Sequence, residues 1–407
     1  MLILGVGLGI ASYPTGRVEL LYLGVFLAVV PLVALAFVRF RKQRMAVVRR
    51  FTPAIAETGH PVDVRVEVRN LGSSRTGEAR WRDQLPFAPY GTDSSRLRPL
   101  AKFRGALGQN SAIQVDYGVQ PPRRGIVEIG PLVVDFADPF GLANGELTVG
   151  ETQKLVVAPA INPLPITGKS INADDGSARA LQRRSSGSED EIMAREYRYG
   201  DPLRRVHWRS SAHRGELMVR QEEQRSHAKA TIVLDTHRAG FRDAGRASAD
   251  EAESDTFEWC LSFTASLALH LQRTGFSVQI VETGYRQLAS PEHRTEFLHS
   301  LAAIELVNSS GGASGPGYLS LRTDSGRAHG SLFAVVADAE VHTVERLADQ
   351  RAGFDRAIAF VVNPHNDSVL DALRRAGWNC LVVRSTDDPA EVWRAATDSY
   401  RKRYARA

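Results

Sequence analysis

Hydrophobic and polar positions change rhythm along the chain. Residues 18–38, VELLYLGVFLAVVPLVALAFV, carry one charge, Glu19, at their edge. A helix of about 20 such residues crosses a ~30 Å hydrocarbon core, and Pro31 is tolerated in a spanning helix. Residues 1–12, MLILGVGLGIAS, are apolar but too short to span, and Tyr13, Pro14, Thr15 and Gly16 read as a turn. The pattern predicts a transmembrane helical hairpin over 1–40, with a first helix that is short or has lost its start. The glycines Gly5, Gly7 and Gly9 lie inside the apolar stretch and suit helix packing better than a nucleotide loop.

From 46 to 160 the period is two. Val62, Val64, Val66 and Val68 alternate with Asp63, Arg65, Glu67 and Arg69, and Ile113, Val115, Tyr117 and Val119 repeat the pattern. Such alternation marks half-buried strands, and short strands separated by turn residues predict an all-β sandwich. Two phrases stand out there, Arg123-Arg124-Gly125 after two prolines and Asp138-Pro139-Phe140-Gly141-Leu142. They read as a strand corner and a turn bearing an apolar plug, with a binding site as the alternative. Residues 161–190, rich in Gly, Ser, Asn and Asp, read as a linker.

The rhythm changes again over 229–407. Ala230 to Leu234 is an unbroken apolar run closed by Asp235, as a strand covered on both faces would read. Helical spacing over 251–273 follows, then a strand from Phe276 to Val281 and a helix at 292–305. Leu332 to Ala337 ends in Asp338, and strands at 358–362 and 380–383 alternate with helices at 341–350, 367–376 and from 388. This predicts a mostly parallel, doubly wound α/β domain, whose ligands bind beyond the carboxyl ends of the strands.

Charge refines the picture. Arg39, Arg41, Lys42, Arg44, Arg49 and Arg50 follow the apolar span with no acid between them, while 44 basic and 45 acidic residues lie from position 51 onwards. A cleaved signal peptide would carry its basic residues before the apolar run. Here they follow it, which places the body of the protein in the cytoplasm. The nearly neutral body argues against a nucleic-acid partner. The 2 cysteines, Cys260 and Cys380, exclude a disulfide scaffold. No phosphate-binding G-x-x-x-x-G-K-[ST] loop and no G-x-S-x-G elbow is present.

The most distinctive stretch runs from Arg195 through Tyr197, Gly200, Asp201, Arg204, His207, Trp208, Arg209, Arg214 and Glu216 to Arg220. Guanidinium groups among carboxylates and aromatic rings pair bidentately and stack. Such residues suit a structural lock on the next domain or a partner-docking surface. An enzyme would use His207 as general base and Arg204 or Arg209 to hold an anionic substrate.

This run, with Arg-Arg-Gly at 123–125 and Asp-Pro-Phe-Gly-Leu at 138–142, resembles the signature of the domain of unknown function 58 family. The resemblance implies a bacterial membrane protein whose C-terminal part is similar to a von Willebrand factor type A domain. It also implies a gene neighbourhood with a MoxR-type AAA+ ATPase. A von Willebrand A domain holds Mg²⁺ at the end of its first strand through an Asp-x-Ser-x-Ser loop. Here the corresponding residues are Asp235-Thr236-His237-Arg238-Ala239. Two hydroxyl ligands are missing and a cation is added, so Asp235 and Asp338 are weak metal candidates and no cofactor is expected.

The expected molecule has five parts: a membrane hairpin (1–40), a β-sandwich (46–160), a linker (161–190), the charged motif (191–228) and a von Willebrand A-like domain (229–407). It is expected to work as an adaptor, anchored in lipid through residues 18–38, that docks a MoxR-type ATPase. The alternatives are an enzyme built on the charged motif and a metal-dependent adhesion module.

Overall fold

The computed structural model describes residues 1–40, 44–72, 75–88, 91–92, 95–101, 111–138, 140–166, 194–197, 206, 208–220, 228–245, 254–308 and 330–404. They form two compact units, Met1–Ala160 and Ile161–Ala407.

The first unit opens with helices α1 (Leu2–Thr15) and α2 (Val18–Phe40), joined at Gly16, whose φ of 65° caps α1 in the left-handed conformation. Alpha-2 is long and apolar enough to cross a membrane. The hairpin is closed by small residues. A Cβ on Gly24 would lie 2.7 Å from Gly5 O and from Gly9 N, so the backbones touch where only glycine fits. Gly7, by contrast, meets nothing within 4 Å.

Among the described residues ten strands follow: β1 (Met45–Thr52), β2 (Ile55–Glu57), β3 (Val62–Asn70), β4 (Ala79–Asp83), β5 (Ser95–Leu97), β6 (Ala112–Val119), β7 (Gly125–Ile129), β8 (Leu132–Ala137), β9 (Asn144–Val149) and β10 (Gln153–Ala158). They build sheets of order β1-β3-β6, β2-β10-β7 and β5-β4-β8-β9. Beta-10 runs parallel to β2, and the other pairs are antiparallel. Val62, Val64, Val66 and Val68 are all 0% exposed and join Trp81, Leu132, Val134 and Leu155 in one core. The alternation works because side chains on a strand point to opposite faces in turn.

Two expectations are corrected here. Arg49 does not belong to the basic cluster behind the span: it is buried inside this unit against Asp83. Tyr117 OH donates to the same carboxylate at 2.6 Å, and Arg49 Nη1 donates to Glu151 O. Burial and the Asp83 charge push the Tyr117 phenol far above its ordinary pKa. In addition, the turn at 138–142 carries no apolar plug, because Phe140 and Leu142 project into solvent.

The second unit begins earlier than the linker expectation. Asn162 N donates to Ser266 Oγ at 2.9 Å, Trp393 Nε1 donates to Pro165 O at 3.2 Å, and Leu164 is buried. Residues 161–166 are therefore held by this unit, and 167–193 lie outside the described residues. The charged motif supplies β11 (Ala194–Glu196), the short helix α3 (Trp208–Arg214) and β12 (Met218–Arg220).

A five-stranded parallel sheet then forms the centre: β13 (Lys229–Leu234), β14 (Ser277–Glu282), β15 (Ser331–Val336), β16 (Arg356–Val362) and β17 (Asn379–Val383), in the order β14-β13-β15-β16-β17. Between them run α4 (Asp255–Arg273), α5 (Arg294–Ala303), α6 (Val341–Gln350) and α7 (Ser368–Arg375), and α8 (Pro389–Tyr404) closes the fold. Leu332, Ala334, Ala357 and Ala359 pack with Leu347 and Leu373 of α6 and α7. From the opposite face, Phe360 meets Phe263 of α4 and Phe333 meets Trp393 of α8. Helices thus cover both faces, which is why β15 and β16 read as unbroken apolar runs.

Candidate functional site

The charged motif folds as a small hairpin. Arg195 stands opposite Val219 and Glu196 opposite Met218 in the antiparallel β11–β12 pair. Val206 bridges Val219, and Val206, Met218 and Val219 are buried as its floor. Gly215, at φ +78°, ends α3, its N–H bonded to Ser211 O. Met218 N donates to Ser211 Oγ at 2.8 Å, which fastens the helix to β12.

Above that floor the motif is open. Trp208 is 68% exposed, and Leu217 beside the strand is 44% exposed. His213, Arg214 and Glu216 are exposed, while Tyr197 is half-buried with its N–H bonded to Leu217 O. Arg195, Arg209 and Arg220 are placed by backbone alone, and Gly200, Asp201, Arg204 and His207 lie outside the described residues.

A second feature lies at the carboxyl ends of the parallel strands. The strand order brings β13 beside β15 and sends the chain to opposite sides from there, which opens a crevice between them. A cavity of about 390 Å³ sits there, lined among others by Arg242, Asp243, Thr256, Asp338, Asn363 and His365. Asp243 accepts from Ser254 Oγ at 2.6 Å and from Thr256 N at 2.9 Å, at the start of α4. Burial acts to raise its pKa, but these hydrogen bonds to the charged form outweigh it and hold the carboxyl below its ordinary range. Asn363 stands at φ 46°, a conformation that few residues other than glycine adopt. Its Nδ2 donates to Thr256 Oγ1 and Ser385 Oγ at 3.0 and 2.9 Å.

Asp235 and Asp338 both sit at this end of the sheet. Asp235 is buried; its Oδ1 accepts from Thr283 Oγ1 at 2.7 Å and from His237 N at 3.2 Å. Its Oδ2 has no partner among the described residues, and a Cβ on Gly240 would come within 2.8 Å of that oxygen. Burial raises the Asp235 pKa. Asp338 Oδ2 accepts from Arg242 Nε at 2.7 Å and Oδ1 from His365 N at 2.9 Å. The set does not fit a hard divalent cation. One carboxylate is closed over by Gly240 and the other already holds a guanidinium, where several convergent oxygens are required. Among the described residues no group of three or more His, Cys, Asp or Glu side chains could hold a metal.

Sequence reading did not single out Arg242, Thr256, Asn363 or His365. They come from three separate stretches, and the local signal was the ending of a buried strand just before Asn363.

Three likenesses to solved structures are distant. The CARDB domain of a Pyrococcus furiosus protein is 12% identical over 29% of this chain and 90% of its own, with a TM-score of 0.20. Red sea bream transglutaminase is 16% identical over 28% of this chain and 15% of its own, at 0.17. A Paenibacillus cycloisomaltooligosaccharide glucanotransferase is 12% identical over 84% of this chain and 53% of its own, at 0.20. Scores of this size carry no argument about fold or function. No curated protein matches the chain. The family described as protein of unknown function DUF58 matches residues 193–407, from β11 through the parallel sheet to the C-terminus, and the chain belongs to that family.

Proposed function

We propose that the protein is a non-enzymatic, membrane-anchored adaptor. In this reading α2 holds it in the bilayer, and the charged hairpin docks another protein, a MoxR-type AAA+ ATPase, during assembly or maturation of envelope or metal-containing complexes. The observation that carries it is the exposure of Trp208 at 68%, on a hairpin whose Val206, Met218 and Val219 are already buried. A large aromatic left in water, in an arginine-rich stretch of sequence, is the composition of a binding hot spot.

The α/β unit is read as von Willebrand A-like, supported by its parallel sheet, its two helical layers and an acid closing β13. The anchor reading is supported by the 23-residue α2, whose apolar side chains face outward. Arg39, Arg41, Lys42 and Arg44 after the span support a cytoplasmic body, without Arg49.

The test is capture of a purified MoxR-type AAA+ ATPase by the full-length protein in lipid nanodiscs, with ATP, with ADP and without nucleotide. Binding that falls on Trp208→Ala supports the reading. No binding in any nucleotide state overturns the partner, and turnover of an anionic substrate that vanishes in His207→Ala overturns the adaptor.

A further inference from the structure

The turn between β8 and β9 is built to hold two apolar side chains outward. Asp138 is buried, and its carboxylate accepts from Phe140 N at 2.8 Å and from Leu142 N and Ala143 N at 2.6 Å. Gly141 takes φ +67°, and Asp138 N donates to Ala143 O at 3.0 Å. So tightly tied a turn fixes where its side chains point. Phe140 is nevertheless 65% exposed and Leu142 39% exposed. Rigid apolar side chains held in water mark an interaction surface.

The position of the turn names the partner. A Cβ on Gly145, in the first part of β9, would lie 2.6 Å from Val38 Cγ1, close to the end of α2. A Cβ on Gly150, just past the end of β9, would lie 2.9 Å from Val47 Cβ, and Glu151 O then accepts from Arg49 Nη1 at 2.8 Å. Beta-9 therefore moves away from the apolar span as it runs. The turn that precedes it lies on the span side of Gly145. Strand residues advance about 3.3 Å each. The turn thus ends within a few residues of the Gly145–Val38 contact. Leu71, 46% exposed, stands near the chain's exit from the span, its N–H bonded to Arg44 O at 2.7 Å.

We propose that Phe140 and Leu142 dip into the interfacial layer of the same bilayer that α2 crosses, as a second, shallow anchor that fixes the tilt of the β unit on the membrane. The proposal rests on the anchor reading of α2. Apolar side chains on a rigid support gain free energy by leaving water for the headgroup–acyl boundary. A second contact beside a spanning helix removes rotational freedom that one helix leaves.

The full-length chain is placed in phosphatidylcholine–phosphatidylglycerol nanodiscs with an environment-sensitive fluorophore on Leu142→Cys, and separately on Val29→Cys in the middle of α2. The parent protein, labelled alike, supplies the background from Cys260 and Cys380. The Leu142 probe is expected to be blue-shifted and quenched by lipids bearing a nitroxide near the glycerol, and Phe140→Glu is expected to reverse both. The Val29 probe is expected to respond to a nitroxide deep in the acyl chains. A water-like Leu142 probe beside a quenched Val29 probe overturns the shallow anchor and leaves the span standing. Two water-like probes overturn the span and the shallow anchor together.

Discussion

Arg49 grips Asp83 through two parallel hydrogen bonds, Nε to Oδ2 at 2.8 Å and Nη2 to Oδ1 at 2.7 Å, with side chains only 1% and 0% exposed. Gly130 lies flat against the guanidinium: a Cβ there would come 2.6 Å from Nη2, and its φ of +100° also asks for glycine. A buried pair is strongly destabilising to break from one side, because the remaining charge has neither water nor partner. Arg49→Ala or Asp83→Ala is expected to cost ~3–5 kcal/mol, and Arg49→Met with Asp83→Leu together to cost less than either. Hydrogen exchange of the β3 amides, in detergent-solubilised full-length protein, checks this. Unchanged protection in both single variants would show that the pair carries no stability.

Trp208 separates binding from folding. Its indole is mostly in water, so Trp208→Ala is expected to change stability by no more than ~0.5 kcal/mol. If the hairpin docks a partner, the same change is expected to weaken binding by about 2 kcal/mol or more. Thermal unfolding and titration of the ATPase on one preparation read both numbers. Loss of stability without loss of binding would favour the lock.

Asp235 makes stability fall as pH rises. Its pKa is raised from the ordinary 3.8, mainly by burial. Between 3.8 and the raised value the folded state keeps a proton that the unfolded chain has released, so its contribution is full below 3.8 and is lost as pH climbs through the folded pKa. Asp235→Asn keeps an oxygen for Thr283 and His237 but does not titrate. Its stability relative to wild type is expected to improve from pH 4 to pH 7, by ~1.4 kcal/mol for each unit of the raised pKa. Denaturant midpoints across that range would contradict this if the two proteins moved in step.

The α1–α2 contact depends on Gly24 and not on Gly7. Gly24→Leu is expected to force the helices apart, at ~1–3 kcal/mol for overpacking, whereas Gly7→Leu has room and should leave the hairpin intact. Thermal stability of the two variants in one detergent decides it; equal losses would point to a general effect of glycine replacement.

Legibility followed locality. The valines of β3 and the apolar runs of β13, β15 and β16 could be read because each strand meets the same surroundings along its length. The hairpin β11–β12 could not, since three-residue strands leave no period to see. The crevice could not either: Arg242, Asp338 and His365 are joined by a guanidinium–carboxylate bond and a backbone N–H across 96 and 27 residues of chain. Phe140 and Leu142 were legible as a turn, but whether they plug a core or face outward depends on what lies above them.

On its own, the order of residues determined the apolar N-terminal helices, the change from a β unit to alternating strands and helices, and the family motif. Each of these is written in spacing, and spacing is set by backbone geometry that every residue carries with it. Tertiary structure alone decided that Arg49 belongs to a buried pair rather than to a basic cluster, that Trp208 is left in water, and that Asp338 is already claimed by Arg242. A charge or a ring acquires its role from the neighbour that replaces its water, and distant segments supply that neighbour only once the chain has folded.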